Sequence, residues 1–294
     1  MTPRFATIGL MGRLADPQVL EMAGRLAKQL QAAKVQVFAD EALGLPASSG
    51  VQLLPGGTLA AKSDLLIVVG GDGTLLKAAQ LIAARPIPLV GVNLGRLGFL
   101  ADITPTQVQD DIAAMLKGEY TSEERLMLEA STERSGKVAA TVPALNDVVV
   151  HKADGGRLIE FETWVDEQFL CAYRADGIIV ATPTGSTAYA LSGGGPILHP
   201  AMDAIALVPI CPHTLGDRPL VVAGGSRIEI RIGDTHGGGA QVTWDGQHAE
   251  TLQSGDRVRA QRSAKHISFI HPRGYDYYKI LRTKLHWGRG GNPS

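Results

Sequence analysis

The sequence predicts an α/β half followed by a β-rich half, and three observations carry this prediction. Up to about residue 117, apolar runs of strand length alternate with amphipathic segments of helix length, which is typical of a parallel sheet with crossover helices. From about residue 120, short β-like segments separated by turn residues replace this pattern. The chain has 294 residues, which is enough for two domains of ordinary size.

The first half opens with a strand, a helix and a second strand. Residues 5–10 and 35–39 are apolar runs, and residues 17–33 repeat apolar side chains at helical spacing. Residues 40–63 are rich in Pro, Ser and Gly and predict a loop, with a short helical turn at 58–62. This opening carries no GxGxxG, and no GKS or GKT follows anywhere in the chain. Neither a Rossmann fingerprint nor a P-loop is therefore predicted.

The stretch 65–79, LLIVVGGDGTLLKAA, is the central feature of this half. Residues 65–69 predict a strand buried on both faces, and a helix is expected to begin near Thr74. The phosphate-binding residues of the turn between them are expected to be Gly70, Gly71, Gly73 and Thr74. Glycines and free N–H groups at a helix start favour a phosphate. Asp72 in such a turn fits a group that accepts a hydroxyl proton, or one that holds a cation shared with the phosphates.

The rest of this half adds one strand and one helix. Residues 88–92 predict a strand, which is followed by the loop 93–100, and residues 104–117 predict a helix. Ligands of parallel sheets bind at the carboxyl ends of the strands. The loops after residues 69 and 92 are therefore expected to meet at one edge of the sheet.

The second half is predicted to be a series of short strands. The segments with strand character span residues 126–131, 139–142, 148–151, 158–165, 169–174, 178–181, 220–223, 227–232, 241–244 and 257–261. Asp166–Glu167 and Asp245–Gly246 predict hairpin turns. The predicted domains are an α/β domain over 1–118 and a β-rich domain over 119–266, with a tail over 267–294 that packs back on the first domain.

Composition excludes several classes of partner. The formal net charge is −1, which gives no basis for binding nucleic acid or an anionic membrane surface. No run approaches the roughly 20 apolar residues that a membrane-spanning helix needs.

The two cysteines, Cys171 and Cys211, form no CxxC motif and are expected to be buried thiols in apolar surroundings. A cytoplasmic location is expected.

The stretch 182–196, TPTGSTAYALSGGGP, is the second candidate site. It combines small hydroxyl residues and glycines with one aromatic side chain, Tyr189, and it directly follows the apolar run 178–181. Such a loop offers hydroxyl and backbone groups to ribose and phosphate oxygens, and a ring to a base. We therefore expect a ligand-binding loop rather than a plain connection.

Taken together, several motifs resemble bacterial NAD kinases of the ATP-NAD kinase family. They are GGDGT at 70–74, NLGRLGFL at 93–100, ND at 146–147, the 182–196 loop, PHTL at 212–215, RPLV at 218–221 and DGQ at 245–247. The resemblance runs from about residue 5 to residue 287. It implies a Rossmann-like N-terminal domain with a β-sandwich-like C-terminal domain. It also implies transfer of the ATP γ-phosphoryl group to the 2′-hydroxyl of the adenosine ribose of NAD, giving NADP.

The resemblance also assigns roles to residues. Asp72 matches the catalytic base and is also assigned to the NAD-binding residues, and Gly73 supplies a backbone contact to NAD. Asn146 and Asp147 match an NAD-binding pair, for an adenine edge and ribose hydroxyls respectively. The contacts that line the adenosine and ribose are assigned to Thr187, Ala188, Tyr189, Ala190, Leu191 and Ser192, with Tyr189 against the base. The remaining NAD contacts are assigned to Asp176, facing the nicotinamide half, and to Arg157, Arg174 and Gln247, some of them across a subunit interface.

Cofactor and assembly are implied by the same resemblance. A divalent metal ion, Mg²⁺, is expected to arrive with ATP and to be held mainly by phosphate oxygens, and no metal site of the protein itself is expected. Homodimers or homotetramers are implied. Polyphosphate stays open as an alternative phosphoryl donor.

Two other functions remain as alternatives. A lipid kinase of the diacylglycerol type shares the GGDGT loop, but the polar 182–195 loop and the lack of a basic amphipathic stretch argue against an apolar acceptor. A non-enzymatic NAD(P)-binding regulator is the second alternative. No helix-turn-helix pattern or basic patch supports a DNA-reading role.

Overall fold

The computed structural model of the protein describes residues 4–13, 16–95, 98–139, 141–153, 157–214, 216–235 and 238–287. The chain forms two compact units, Met1–Glu124 with Ile267–Ser294, and Arg125–His266. The ranges predicted above were 1–118, 119–266 and 267–294. The first boundary of the structure falls between residues 124 and 125, inside a long strand.

The helices and strands follow one another in the order that is expected for an α/β half and a β-rich half. The strands are β1 Thr7–Gly12, β2 Gln36–Asp40, β3 Gln52–Leu54, β4 Leu65–Val69, β5 Leu89–Val92, β6 Tyr120–Arg134, β7 Lys137–Val138, β8 Val142–Ala144, β9 Asp147–Lys152, β10 Ile159–Val165, β11 Gln168–Ala175, β12 Gly177–Ala181, β13 Ala204–Ile210, β14 Leu220–Ala223, β15 Ile228–Ile232, β16 Ala240–Trp244, β17 His248–Leu252 and β18 Arg257–Pro272. The helices are α1 Pro17–Ala32, α2 Gly56–Lys62, α3 Asp72–Ile82, α4 Val108–Leu116, α5 Tyr189–Ser192 and α6 Tyr277–Leu285.

The first unit is built on a parallel sheet. Its strands lie in the order β3-β2-β1-β4-β5-β18, and each of these pairs is parallel. β4 is buried along its whole length, as predicted from its continuous apolar run. The strand order reverses between β1 and β4, and open α/β sheets bind ligands at such a point, outside the carboxyl ends of the strands.

Local capping explains where the first helices begin. Asp16 precedes α1, and its carboxylate accepts hydrogen bonds from the backbone N–H of Gln18 and Val19. α3 begins at Asp72 and not near Thr74, because Gly71 is the N-cap and Thr74 N–H already donates to the Gly71 carbonyl at 2.9 Å. α3 therefore begins two residues earlier than predicted, which is about half a helical turn.

The second unit contains antiparallel strands that belong to two sheets, and the two sheets share one core. One sheet has the order β14-β13-β12-β9-β16-β17, and β11, β10, β15 and β18 are neighbours in the other, with β6 paired to β18. Leu128, Phe161 and Val180, which come from both sheets, belong to the same buried cluster. Two sheets packed over a shared apolar core form a sandwich, and the predicted β-sandwich-like fold class is confirmed.

The six-stranded sheet is also covered on its other face. Ile179 and Val208 pack there against Ala190 and Leu198, which follow the 182–187 turn. β12 and β13 are therefore buried on both faces, which explains why their sequences are continuous apolar runs without alternation. This packing fixes the 182–196 loop on the sheet.

Several elements differ from the predictions. β3, β13, β17 and the C-terminal part of β18 were not predicted, and the aromatic tail forms α6, which is capped by Asp276 accepting from Lys279 N–H at 3.0 Å. The cysteines were predicted wrongly, because Cys211 is exposed and Cys171 is only half-buried. No helix within the described ranges is both long and apolar enough to cross a bilayer.

Candidate functional site

The GGDGT turn connects the end of β4 to α3. Gly70 has φ +154, and a Cβ there would lie 2.7 Å from Thr74 Oγ1, so this position requires glycine. In contrast, a Cβ at Gly71 or Gly73 would meet nothing within 4 Å. Glycine at these two positions is not required by the packing of this unit, and it leaves the start of α3 open to a ligand.

Asp72 is held in place by the loop after β5. Its carboxylate accepts three backbone N–H groups, from Phe99 at 2.9 Å, Leu100 at 3.1 Å and Ala101 at 3.4 Å. A Cβ at Gly98 would overlap with Asp72 Oδ1, so the contact depends on glycine at 98. The loops after residues 69 and 92 therefore meet at the same edge of the sheet, as predicted. Arg96 and Leu97 of the NLGRLGFL motif lie outside the described residues.

The second unit contains a cavity of about 430 Å³ beside the 182–196 loop. Its lining residues are Asn146, Asp147, Val149, His151, Ala188, Tyr189, Thr243, Asp245 and Gly246. Val149 and Thr243 lie opposite each other on β9 and β16, on the face of the sheet that points away from the shared core. Tyr189 is 47% exposed, so its ring can still be covered by a planar ligand group.

The hydroxyl groups at the start of the loop have a structural role. Thr182 Oγ1 donates to the Leu145 carbonyl at 2.6 Å, and Ser186 Oγ donates to the Pro183 carbonyl at 2.6 Å. Both side chains are fully buried. The expectation that hydroxyls of this loop serve a ligand is wrong for these two, because they satisfy the buried backbone of the loop itself. A Cβ at Gly185 would overlap with the Asn146 carbonyl oxygen, which explains how closely the loop approaches Asn146.

Two carboxyl groups lie together at the end of this cavity. Asp245 accepts hydrogen bonds from the N–H groups of Leu145 at 3.0 Å, Asn146 at 2.7 Å and Asp147 at 3.2 Å. Asp147 is only 5% exposed. Burial, followed by repulsion from Asp245, raises the pKa of Asp147 to about 7. Burial therefore favours the protonated form of the Asp147 carboxyl up to a higher pH than is usual for an aspartate.

The predicted site residues are not all close to one another. Ala188, Tyr189, Asn146 and Asp147 line the same cavity, whereas Ala190 is buried in the cluster beneath the loop. The predicted contacts that do not line that cavity are Arg157, Arg174, Asp176, Thr187, Leu191, Ser192 and Gln247. Their roles stay predictions.

Three of these outlying residues have defined surroundings. Asp176 forms an ion pair with Lys152, at 2.7 Å between carboxylate and ammonium. Exposed Arg174 lines a separate groove of about 550 Å³ with Tyr173 and Glu160. Gln247 follows the Asp245–Gly246 turn and donates its backbone N–H to the Trp244 carbonyl at 2.9 Å.

The sequence reasoning missed several residues at the two sites. Gly98 supports Asp72, Asp245 supports the 145–147 backbone, and His151 and Thr243 line the cavity. Two signals were available, since Gly98 and Asp245 both lie in motifs that were noted above. His151 and Thr243 could have been found from the alternation of side chains along a strand. Each lies on the same face of its strand as another residue that lines the cavity. Among the described residues, no three His, Cys, Asp or Glu side chains converge to hold a metal ion.

Comparison with known families gives matches over both units. The model of the ATP-NAD kinase N-terminal domain matches residues 57–120, and that of the ATP-NAD kinase C-terminal domain matches residues 145–272. A protein named NAD kinase from Chromohalobacter salexigens is 47% identical over 290 residues, covering 96% of this chain and 97% of the relative. A protein of the same name from Thiobacillus denitrificans is 51% identical over 231 residues, covering 79% of each chain.

Two solved structures are also similar. The crystal structure of yeast NADH kinase complexed with NADH gives a TM-score of 0.91 at 24% identity, over 99% of this chain and 90% of that chain. The structure of an NAD kinase from Archaeoglobus fulgidus in complex with ATP gives a TM-score of 0.73 at 26% identity, over 95% and 97% of the two chains. Because the yeast structure is only 24% identical in sequence, its similarity to this chain is one of fold alone.

Proposed function

Because this chain belongs to the ATP-NAD kinase family, we propose that it transfers the γ-phosphoryl group of ATP to the 2′-hydroxyl of the adenosine ribose of NAD, giving NADP. The observation that carries the acceptor assignment is the cavity in the second unit. It is lined by an amide, a carboxyl group and an exposed aromatic ring, from Asn146, Asp147 and Tyr189. These are the chemical groups that an adenine edge, ribose hydroxyls and a base plane require.

In this proposal, NAD binds with its adenine against Tyr189. The Asn146 side chain both donates and accepts hydrogen bonds, which suits the edge of the base. Asp147 accepts ribose hydroxyls in its ionised form. Since those hydroxyls favour the charged carboxylate, NAD binding should release part of the proton that burial keeps on Asp147.

Transfer itself is assigned to the GGDGT turn. The 2′-hydroxyl oxygen forms a bond to the γ-phosphorus, the bond from that phosphorus to the β–γ bridging oxygen breaks, and ADP leaves. Asp72 accepts the hydroxyl proton as the new bond forms. Gly71 and Gly73 lie at the start of α3, where backbone N–H groups can bind the phosphates. Gly70 and Thr74 were predicted to do the same, but their N–H groups already donate to the Val92 and Gly71 carbonyls, at 2.8 and 2.9 Å. Mg²⁺ enters as part of the substrate, bound mainly by phosphate oxygens.

Assembly and location are part of the proposal. We propose a homodimer or homotetramer, because the edge strand β11 exposes Phe169 and Leu170 at 54% and 37% and carries the exposed Arg174. Light scattering should therefore give at least a dimer mass, and a fully active monomer at micromolar concentration would argue against it. A cytoplasmic location stays a prediction.

The decisive experiment is an assay of the purified protein with ATP, Mg²⁺ and NAD. NADP should form, ³¹P NMR of the product should show a 2′-phosphate, and chelating Mg²⁺ should stop the reaction. Diacylglycerol in micelles serves as the competing acceptor. Lipid phosphorylation at a comparable rate would support the lipid-kinase alternative, and NAD binding without NADP formation would support the non-enzymatic one.

A further inference from the structure

A second cavity, of about 310 Å³, lies in the first unit at the carboxyl ends of β1, β4 and β5. Its lining residues are Arg13, Asp16, Gln18, Val19, Gly70, Gly71, Asn93, Leu94 and Gly95. The cavity thus lies where the strand order reverses between β1 and β4. This is the position at which open α/β sheets bind their ligands.

Three of the described residues that line this cavity are glycines. Gly70, Gly71 and Gly95 contribute only backbone to it. A Cβ at Gly71 would meet nothing within 4 Å, and one at Gly95 would only reach Asn93 Oδ1, at 4.0 Å. Side chains at these two positions would occupy open space in the cavity without clashing with the protein. The absence of side chains therefore leaves room for a ligand that binds close to the backbone.

Two charged side chains line the cavity, and they differ in how they are engaged. The Asp16 carboxylate accepts the N–H groups of Gln18 at 3.0 Å and Val19 at 3.5 Å, so it caps α1. Arg13 is exposed. Among the described residues, no carboxylate forms an ion pair with its guanidinium. The guanidinium of Arg13 is thus the cationic group of this cavity that is available to an anion.

We propose that Arg13 binds phosphate oxygens of the phosphoryl donor in this cavity, a role that rests on the proposed function. Phosphoryl-transfer sites need a cation near the transferred and leaving phosphates, and the GGDGT turn itself contains only the negative Asp72. Arg13 follows β1, and the turn follows the adjacent β4, with Gly12 and Val69 directly paired. A guanidinium can bind two phosphate oxygens at once, which a lysine ammonium cannot do in the same way.

The test compares Arg13→Gln with Arg25→Gln, which removes an exposed arginine from α1 outside the cavity. Arg13→Gln should raise the KM for ATP by roughly 10- to 100-fold, as expected for loss of a charged hydrogen bond, and leave the KM for NAD unchanged. Arg13→Lys should recover part of the loss. Arg25→Gln should behave as wild type, and thermal melting should show that all three variants are folded.

A binding measurement separates this inference from the proposed function. Calorimetry with inorganic tripolyphosphate requires no turnover, so it tests Arg13 even if the wild-type protein makes no NADP. Binding should be weakened by Arg13→Gln by the same factor as the KM and kept by Arg25→Gln. The inference is overturned if Arg13→Gln binds tripolyphosphate like Arg25→Gln, or if the wild type does not bind it. Wild-type binding without NADP formation would instead overturn the proposed function.

Discussion

Asp72 and Asp147 are the two carboxyl groups of the candidate sites, and their surroundings are opposite. Asp72 is half-buried, and three backbone N–H groups of residues 99–101 fix its carboxylate. Asp147 is almost fully buried beside Asp245, and burial and that neighbour raise its pKa to about 7. A carboxylate fixed by the backbone suits a group that must be aligned in the transition state. The charge of a buried carboxyl group is disfavoured, and hydrogen bonds from the hydroxyls of a ligand would favour it. Such a group suits ligand binding.

Removing the charge at Asp72 is expected to have the largest effect. Asp72→Asn should lower kcat by roughly 10²–10⁴-fold, the range for a positioned general base, with little change in the KM for NAD. The matched control is Asp110→Asn, which removes an exposed carboxylate from α4. Steady-state kinetics with NAD varied at saturating ATP measures both quantities. Partial rescue of Asp72→Asn by raised Mg²⁺ would show that Asp72 serves the metal and not the proton.

Asp72→Asn also has a structural cost. The carboxamide nitrogen cannot accept a hydrogen bond, so at least one N–H from residues 99–101 loses its partner. Substitution by Asn therefore perturbs the position of the loop as well as the base.

Gly98→Ala keeps the Asp72 carboxylate but should change its position. The loss of kcat should be smaller than in Asp72→Asn. The new Cβ would overlap with Asp72 Oδ1, so the carboxylate must move. We expect kcat to fall roughly 10- to 100-fold, the cost of misplacing a catalytic group by about 1 Å. Gly24→Ala, in α1, is the control, because its Cβ would meet nothing within 4 Å. Unchanged kcat in Gly98→Ala would contradict the claim that the loop orients Asp72.

The stability of Asp147→Asn should depend on pH. The pKa of Asp147 is about 7 in the folded protein, against 3.8 for the ordinary group. The folded chain therefore keeps a proton that the unfolded chain loses between these pH values, and the contribution of Asp147 to stability falls as the pH rises to 7. Asparagine does not ionise, so the variant avoids this loss, worth at most about 4 kcal/mol.

Thermal melting of wild type and Asp147→Asn from pH 5 to pH 8 measures this effect. The Tm of the variant relative to wild type should rise with pH and level off above pH 7. Glu167→Gln, an exposed carboxyl in the β10–β11 turn, is the control and should give no such trend. A constant Tm difference across this range would mean that burial does not keep Asp147 protonated.

The two regions also differ in how much of them could be predicted from sequence. The GGDGT turn is a local unit, so its strand, glycines and carboxylate could be found from a short stretch of chain. The contact of Asp72 with residues 99–101 was predicted only as a shared sheet edge, because parallel strands bring their carboxyl ends together. The start of α3 was misplaced because the glycine at position 71, and not a hydroxyl residue, precedes the helix.

The surroundings of Asp147 could not be predicted in the same way. Its pKa depends on Asp245, which lies about 100 positions away in the chain, and on burial created by two sheets. His151 and Thr243 lie in strands that were predicted, but their faces depend on which neighbours pair with β9. The expectation for the 182–196 loop did not separate the hydroxyls of Thr182 and Ser186 from hydroxyls that are open to a ligand, because the sequence gives no sign that these two are buried. Non-local packing decides these features.

The most direct test is the equilibrium Kd for NAD, measured by calorimetry on wild type, Asp72→Asn and Asp147→Asn. Asp72 is assigned to the transition state, so its variant should bind NAD with a Kd close to that of wild type. Asp147 is assigned to ribose binding in the ground state, and its variant should bind NAD at least about tenfold more weakly, the loss of one charged hydrogen bond. A normal Kd for Asp147→Asn, together with weak binding by Asp72→Asn, would contradict the assignment of the two carboxyl groups.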